Sequence, residues 1–168
     1  CILETRRLSL SRWTHSDRTA LFGILGDANV ARFIADGRPF NEQQVDDFLE
    51  WSAVFERENG FSRWKIVEIA TGETVGSCGF ARPKDSEEIE LGYLFAKKHW
   101  NRGFASEITE ATVNYGFEKL GFAEIIALTA VENTASQRVL EKIAFKKRGV
   151  ENIDGESSLV YFRKAPGQ

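Results

Sequence analysis

A glycine turn between a predicted strand and a predicted helix is the segment of this chain best suited to bind a phosphate group. Alternation predicts a strand over Glu88 to Phe95, and helical spacing predicts a helix over Ser106 to Leu120. The turn before the helix contains Arg102, Gly103, Phe104, Ala105 and Ser106. Such a turn presents successive backbone N–H groups at the positive end of a helix dipole, so it can bind a pyrophosphate without a charged side chain. A plain tight turn remains the alternative.

Glu90 is the candidate proton acceptor of the chain. Alternation places it on the strand face opposite to Ile89 and Leu91. A carboxylate on a mostly covered sheet is positioned for acid–base chemistry. The alternative is a solvated strand glutamate, like the neighbouring Glu87 and Glu88.

Asn133 and Ser136 mark the start of a second predicted helix, Thr134 to Ile143. Asparagine is a preferred helix N-cap, and Ser136 falls in the first turn. Capping alone explains the asparagine, and a serine on a helix surface is unremarkable by itself. The pair is therefore a candidate site whose role depends on what surrounds it.

The elements that must position these residues follow a mixed order along the chain. Leu8 and Leu10 alternate with polar residues in a first strand, a helix beginning near Thr14 to Asp17 runs through Leu25, and Asn41 with Gln44 predicts a capping box for a longer helix that ends at Asn59-Gly60. The remaining elements are strands at Trp64 to Ile69, Thr74 to Phe80 and Glu88 to Phe95, the helix at Ser106 to Leu120, a strand at Glu124 to Ala130, the helix at Thr134 to Ile143, and strands at Phe145 to Val150 and Ser158 to Arg163. Thr71-Gly72 predicts a tight hairpin turn. This order predicts an α+β (mixed α/β) fold with helices packed on a central sheet.

Length and composition predict one domain over residues 1–168. The chain is 42% hydrophobic and 28% charged, with a net charge of −3 and a pI near 5.5. That charge disfavours nucleic acid and anionic membranes as partners. No stretch approaches the roughly 18 apolar residues of a membrane helix, and only two cysteines occur, of which Cys78 is expected to be a buried thiol. We therefore expect a cytoplasmic protein in a reducing compartment.

No metal site is predicted. His15 and His99 are isolated in the sequence, and neither belongs to a pattern with metal-ligand spacing. Both are expected to be surface residues.

Two motifs in order resemble those of the GNAT superfamily of N-acetyltransferases. The segment from Ile89 to Glu107 resembles the acetyl-coenzyme A motif, and is most similar to the RimJ/RimL-type (ribosomal-protein-alanine acetyltransferase) form, G-Y-x-L, a short linker, then W-x-[K/R]-G-x-A-[S/T]-E. The segment from Asn133 to Phe145 resembles the family's N-x-x-S-x-x-V-x-E-K-x-G-F helix, and Leu3 to Leu8 resembles the start of this branch. The resemblance spans nearly the whole chain.

Three positions depart from the family patterns. Trp100 replaces the Gln or Arg of the general motif, as is usual in this branch. Ala144 replaces the glycine before Phe145 and costs about 1 kcal/mol if it is left-handed. Leu140 stands where many members have a tyrosine general acid, so that role does not transfer to this chain.

The resemblance implies a GNAT-like central, mostly antiparallel twisted sheet, acetyl-coenzyme A as co-substrate, and direct attack of a primary amine in a ternary complex. It implies that the turn from Arg102 to Ser106 binds the pyrophosphate and that Asn133 contacts the coenzyme. Glu90 is then the general base, directly or through water, and Ser136 protonates the leaving thiolate. The implied pantetheine site is the backbone of Leu94, Phe95 and Ala96, with a closed strand ladder as the alternative.

Charged residues near these motifs suggest contacts with both substrates. Four basic residues are candidates to neutralise coenzyme phosphates: Lys97, Lys98, Arg102 and Arg138. Four acidic residues in the loops where the family admits its acceptor favour a cation: Asp36, Glu42, Asp154 and Glu156. The same residues are also common in ordinary polar turns.

The expected partners are acetyl-coenzyme A and an amine acceptor, either a peptide N-terminus or a small molecule, with the protein a monomer or homodimer. A non-catalytic coenzyme A-binding domain is the alternative function, favoured only by Leu140. A nucleotide-binding module is disfavoured, because the chain has neither the P-loop nor the G-x-G-x-x-G pattern.

Overall fold

An eight-stranded sheet with one parallel pair of strands frames the protein. The computed structural model describes residues 1–153 and 155–167. The strands are β1 (Leu3–Glu4), β2 (Leu8–Ser11), β3 (Arg63–Glu68), β4 (Thr74–Ala81), β5 (Glu90–Phe95), β6 (Glu124–Ala130), β7 (Lys146–Ile153) and β8 (Glu156–Lys164). Their order in the sheet is β1-β2-β3-β4-β5-β6-β8-β7. Neighbours are antiparallel except β5 and β6, so the predicted α+β fold with a mostly antiparallel sheet is confirmed.

Helices cover both faces of the sheet. They are α1 (Arg18–Leu25), α2 (Ala28–Ala31), α3 (Glu42–Asn59), α4 (Phe104–Glu118) and α5 (Thr134–Lys142), with 3₁₀ turns at His15–Asp17 and Lys97–His99. None of the helices described has both the length and the apolar character needed to cross a lipid bilayer.

The sheet face under α4 and α5 carries the larger core. Trp64, Phe80, Ile108, Leu140 and Tyr161 are almost completely buried there, and Cys78 is buried among them, as predicted. The opposite face, under α1 and α3, has a smaller apolar cluster centred on Leu21, Leu25 and Val45, which Leu94 of β5 joins. We call these the α4 face and the α3 face. Strand alternation sends successive β5 side chains to different faces.

The capping pattern of α3 is confirmed in detail. The Asn41 side chain accepts from the Gln44 N–H, and the Gln44 side chain accepts from the Asn41 N–H, both at 2.8 Å. Gly60 ends the helix in the left-handed region, with φ of +86°. The caps of α3 thus bind main-chain groups at both of its ends, whereas no side chain caps the start of α4 among the described residues.

Several element boundaries differ from those predicted. Helix α4 begins at Phe104 rather than Ser106, because Gly103 is its N-cap and the Phe104 side chain is buried. Strand β5 begins at Glu90 rather than Glu88, since the Glu88 N–H bonds the Ser86 hydroxyl in a turn. Strand β1, helix α2 and the 3₁₀ turn at Lys97–His99 are too short to leave a periodic pattern and were not predicted.

Ala144 occupies the left-handed conformation that its place in the sequence suggested. Its φ is +68°, and the Phe145 N–H closes the end of α5 by bonding the Leu140 carbonyl at 2.9 Å. A Cβ is unfavourable in this region, whereas glycine is not.

Replacing Ala144 with glycine should therefore stabilise the protein, by about 1 kcal/mol. The matched control is Ala53→Gly, at an exposed position inside α3, where the same change should destabilise by about 1 kcal/mol. Urea unfolding of the three proteins measures both effects. Equal signs for the two variants would contradict the strain assigned to Ala144.

Candidate active site

Strands β5 and β6 separate soon after they meet. They pair only at Glu90 with Ile126 and at Leu91 with Ala127, although β5 continues to Phe95 and β6 to Ala130. Beyond these two pairs, the facing main-chain groups lack the partners that a ladder would give them. A continuous ladder between the two strands, which the sequence allowed as an alternative, does not occur here. We call the opening between the two strands the gap.

The end of β5 directs only some of its main-chain groups into the gap. Ala96 donates its N–H to the carbonyl of Val75, near the start of β4, and accepts at its own carbonyl from the His99 N–H, both at 2.9 Å. Both groups are therefore engaged, and the prediction that Ala96 offers backbone hydrogen bonds to a ligand is corrected. Antiparallel pairing alternates, so the main chain of Leu94 also faces β4, and its assignment is corrected in the same way.

Tyr93 and Phe95 take the place of Leu94 and Ala96 at the gap. The same alternation turns their main-chain groups away from β4. The Phe95 carbonyl already accepts from the indole N–H of Trp100 at 2.9 Å, which leaves its N–H directed at the opening. The sequence missed Tyr93 because strand register, unlike strand location, depends on pairing with a neighbour.

The turn before α4 presents uncapped N–H groups. Gly103 is the N-cap, with φ of +78°, and no side chain of the described residues caps the helix. The N–H groups of Phe104, Ala105 and Ser106 have no intrahelical partner by helix geometry. This is the local arrangement that binds an anion at a helix N-terminus.

Arg7, near the start of the chain, and Glu107, in the first turn of α4, hold this turn in place. Arg7 donates from Nη1 to the Arg102 carbonyl at 2.9 Å and from Nε to Glu107 Oε1 at 2.7 Å. Glu107 Oε2 accepts from the Thr5 hydroxyl at 2.6 Å and the Arg7 N–H at 3.0 Å. Burial would raise the pKa of Glu107, but hydrogen bonds from Thr5 and Arg7 outweigh it, and the pKa is lowered. Sequence spacing of about 100 residues gave no signal for this contact.

The Arg102 side chain points away from the turn that its main chain belongs to. Its Nη2 donates to Glu68 Oε2 at 2.7 Å, its Nη1 lies 2.9 Å from His99 Nδ1, and the guanidinium lies over the Phe104 ring. The hydrogen bond from Arg102 lowers the pKa of Glu68. Arg102 thus supports the turn, and its expected role in neutralising coenzyme phosphate is corrected.

His99 is not a surface residue, contrary to the prediction. It is 6% exposed, stacks on Phe104 and accepts the Arg102 hydrogen bond at Nδ1. Because an arginine can only donate, the ring proton lies on Nε2, 3.6 Å from a Glu73 carboxylate oxygen. Within residues 1–153 and 155–167, no group of three or more His, Cys, Asp or Glu side chains is arranged for a metal ion.

The other charged candidates divide into engaged and exposed side chains. Lys98 pairs with Glu73, whereas Lys97 and Arg138 are exposed and make no ion pair with the described part of the chain. Among the acidic candidates, Asp36 lies 3.9 Å from Arg38 and Glu42 lies 3.5 Å from Arg18. Glu156 is exposed at the start of β8, and Asp154 lies outside the described residues.

Ser136 lies beside the gap at the start of α5. Its N–H bonds the Asn133 side chain at 3.1 Å, so Asn133 caps the helix. Its hydroxyl lies 2.8 Å from the Tyr93 hydroxyl. Burial raises the pKa of Tyr93 to about 12, so that hydroxyl stays protonated at neutral pH. Leu140 is fully buried in the core and offers no polar group.

Glu90 lies on the α3 face, where the strands meet, and is paired with a cation. Arg63 Nη2 lies 2.5 Å from Glu90 Oε1, and the Glu90 side chain is 18% exposed. Arg63, Gly79 and Gly92 stand side by side on three strands, and a Cβ on Gly92 would overlap the guanidinium. Gly92 thus leaves the space that the Arg63 guanidinium occupies, whereas a Cβ on Gly79 would overlap the Ser62 carbonyl oxygen of the neighbouring chain segment. Glu90 is therefore not a solvated strand glutamate.

These groups approach the gap from opposite sides of the sheet. Tyr93 and Ser136 lie on the α4 face, and Glu90 lies on the α3 face. An anion-binding turn and a hydroxyl pair thus lie on one side, and a carboxylate lies on the other.

Comparison with known proteins identifies the family. A model described as "Acetyltransferase (GNAT) domain" matches residues 7–146. The chain belongs to the GNAT acetyltransferase family. It is 36% identical over 151 residues to the uncharacterized N-acetyltransferase YoaA of Bacillus subtilis, covering 89% of this chain and 85% of that protein.

Solved structures share the GNAT fold along almost the whole chain. A GNAT-family acetyltransferase from Bacillus anthracis superposes with a TM-score of 0.83 at 26% identity, covering 96% of both chains. The ribosomal L7/L12 α-N-protein acetyltransferase RimL in complex with coenzyme A gives 0.83 at 16% identity, covering 99% of both. At that identity the RimL likeness shows the fold alone.

GNAT membership implies acetyl transfer from acetyl-coenzyme A to an amine, and the site fits the coenzyme. The uncapped α4 terminus matches a pyrophosphate in charge, and the N–H of Phe95 is directed at the gap. Lys97 and Arg138 are exposed cations within the two motif segments, and neither is in an ion pair with the described residues.

Substituting Glu107 tests the support of the turn. Glu107→Gln removes the charge that Arg7 and Thr5 bind, which should cost about 1 kcal/mol at pH 7 after allowance for partial exposure. The folded pKa is lowered, so this stability is present above the unfolded pKa of about 4.3 and is lost as pH falls through the folded value. Unfolding measured from pH 7 to pH 3 should show the difference shrinking. Glu110→Gln, exposed on the same helix, should match the wild type throughout.

Substituting Gly103 tests the anion site. Gly103→Val forces a β-branched residue to a φ of +78° and should raise the dissociation constant for coenzyme A at least about tenfold. Gly60→Val imposes similar strain at +86° far along the chain and should lower stability without changing affinity. Calorimetric titration with coenzyme A, with a thermal melt of each variant, separates the effects. Equal dissociation constants for the two variants would show that the pyrophosphate does not bind at this turn.

Proposed function

We propose that this GNAT protein transfers the acetyl group of acetyl-coenzyme A to a primary amine by direct attack in a ternary complex. The observation that carries the proposal is the gap, with an uncapped helix terminus and a Tyr93–Ser136 hydroxyl pair on the α4 face and Glu90 on the α3 face. The acceptor class is a protein N-terminus or a small amine, as in the RimJ/RimL-type branch. Residues 1–168 act as one acetyltransferase domain, since all eight described strands join one sheet.

The α4 face holds the coenzyme. Main-chain N–H groups from Gly103 to Ser106 bind the pyrophosphate, and the main chain of Tyr93 and Phe95 binds the pantetheine arm. Asn133 orients the first turn of α5 beside that arm. Acetyl-coenzyme A, when bound, supplies an acyl carbon activated by a thiol leaving group.

Glu90 removes the proton that the amine must lose. The amine nitrogen forms a bond to the acyl carbon, the carbon–sulfur bond breaks, and its electron pair leaves on sulfur. One amine proton passes to Glu90, directly or through water, and Glu90 then releases it to solvent. The thiolate takes up one proton from solvent, so the products are an amide and a thiol and Glu90 is regenerated. Ser136 stabilises the departing thiolate with its hydroxyl.

The Arg63 partner of Glu90 bears on which amine is accepted. Arg63 already matches the negative charge of Glu90, so the pair offers no unmatched charge to attract an ammonium group, and an amine that arrives neutral is favoured. A peptide α-amino group has a pKa near 7.7–8.0, against about 10.4 for a lysine side chain, and is neutral far more often at pH 7. This supports an α-amine over an alkyl amine as acceptor.

A mass-shift screen of peptide and small-amine libraries with acetyl-coenzyme A tests the function. The expected result is acetyl addition to at least one α-amine with matching release of thiol. Coenzyme binding without thioester consumption across the panel would instead support a non-catalytic coenzyme A-binding domain, for which the apolar Leu140 is the supporting feature.

Glu90→Gln should lower the turnover number at least about a hundredfold, because a near-isosteric amide keeps the packing but cannot accept the proton. Coenzyme affinity should change little, since Glu90 lies on the opposite face from the anion site. Glu87→Gln, whose side chain is fully exposed, is the control. Steady-state kinetics from pH 6 to pH 9 measure the effect. Near-normal turnover across that range would place the base elsewhere.

A further inference from the structure

The side chains of Tyr93 and Ser136 form a hydrogen bond on the α4 face of the sheet, beside the gap. Tyr93 is on β5 and Ser136 is in the first turn of α5, so the bond joins one strand of the gap to the helix that follows the other strand, β6. The oxygen–oxygen distance is 2.8 Å, an ordinary length for an O–H···O bond. The Tyr93 hydroxyl is also 3.3 Å from the Ser136 carbonyl, which is longer than that ordinary range.

The direction of this bond decides what the serine can do next. If Tyr93 donates to Ser136 Oγ, the serine proton is left over for another acceptor. If Ser136 donates to Tyr93, its only proton is used. The distance is compatible with either hydroxyl as donor, and only a bond donated by Tyr93 leaves the serine proton for an acceptor in the gap. The buried phenol keeps its proton at neutral pH, so it can act as that donor.

Ser136 is fixed by contacts on its other groups. Its N–H is bound by the Asn133 side chain, and the residue is only partly buried. The Tyr93 ring packs against the large core of the α4 face, which fixes the hydroxyl that reaches Ser136. When the serine oxygen accepts a hydrogen bond at one lone pair, rotation of its hydroxyl is restricted, and its proton points within a narrow range of directions.

We propose that Tyr93 is a positioning residue that orients the Ser136 hydroxyl so that its proton hydrogen-bonds the sulfur leaving as thiolate. The inference rests on the proposed function and deepens it at the leaving-group end. Tyr93 transfers no proton in this step. It keeps its own proton and donates a hydrogen bond to Oγ, which strengthens the bond that Oγ donates to sulfur. The buried Leu140 leaves the described part of α5 without a tyrosine for this task.

The thiol of bound coenzyme A reports this arrangement without any acetyl transfer. A hydrogen bond to the thiolate favours the charged form and lowers the pKa of the thiol. Titrating the complex of the full chain with coenzyme A, and following the thiolate by its ultraviolet absorbance, gives that pKa. Tyr93→Phe and Ser136→Ala should each change the acid dissociation constant of the bound thiol about tenfold toward the weaker acid.

The pair should behave as one unit. The double variant Tyr93→Phe with Ser136→Ala should be no worse than Ser136→Ala alone, because the tyrosine acts only through the serine. Ser136→Thr keeps the hydroxyl and should keep most of the effect. Tyr115→Phe is the control. It removes the hydroxyl from a ring that packs edge-on against Trp64, and it should leave the thiol pKa unchanged.

The possible outcomes separate the inference from the function it rests on. Failure of the wild type to bind coenzyme A overturns both. Binding with the same thiol pKa in wild type, Tyr93→Phe and Ser136→Ala overturns the role of the pair and leaves the proposed function standing. An effect of Ser136→Ala without an effect of Tyr93→Phe would show that serine acts unaided and would overturn the positioning role.

Discussion

The loss of pairing between β5 and β6 is the constraint on which the rest of the site depends. Two parallel pairs hold the strands together, and after them the strands part. The unpaired main-chain groups of β5 are costly without a partner, and a ligand with amide groups can supply one. The same opening lets groups from the two faces of one sheet act on the same point. A closed ladder would separate Ser136 from Glu90 by a continuous layer of backbone.

The opening also explains why the turn before α4 needs support from a distance. The turn follows directly from the end of β5, which has no neighbour on the gap side. Arg7 and Glu107 tie it to the first residues of the chain, and Arg102 with Glu68 ties it to the end of β3. Each of these side chains contacts backbone or another charge, so the N–H groups at the helix start remain available. The charged residues around this turn thus position it, and the main-chain N–H groups are left available to an anion.

The sequence predicted the order of the elements and the fold class, because both follow from local periodicity and end signals such as Asn41 with Gln44. It also indicated that Ala144 stands where the family has glycine, which made a left-handed conformation a possibility that the structure then showed. It failed where the answer depends on pairing between distant segments. The register of β5 against β4 decides that Phe95, and not Ala96, faces the gap, and nothing in residues 90–96 encodes that choice alone. His99, Arg7 and Tyr93 were missed for the same reason, since their partners lie on other elements.

The helices show where local stability rules are kept and where they are relaxed. Helix α3 has a complete capping box and a left-handed glycine at its end, and α5 is capped by Asn133. Helix α4 has neither a capping side chain nor a partner for its first N–H groups among the described residues. Strand interiors usually avoid glycine, yet Gly92 lies within β5, where a Cβ would overlap the guanidinium by which Arg63 reaches Glu90. Unsatisfied donors and missing side chains weaken a fold unless something else uses them. Because these departures fall at the gap and on both sides of it, the simplest physical account is that two substrates complete the hydrogen bonding that the protein leaves open.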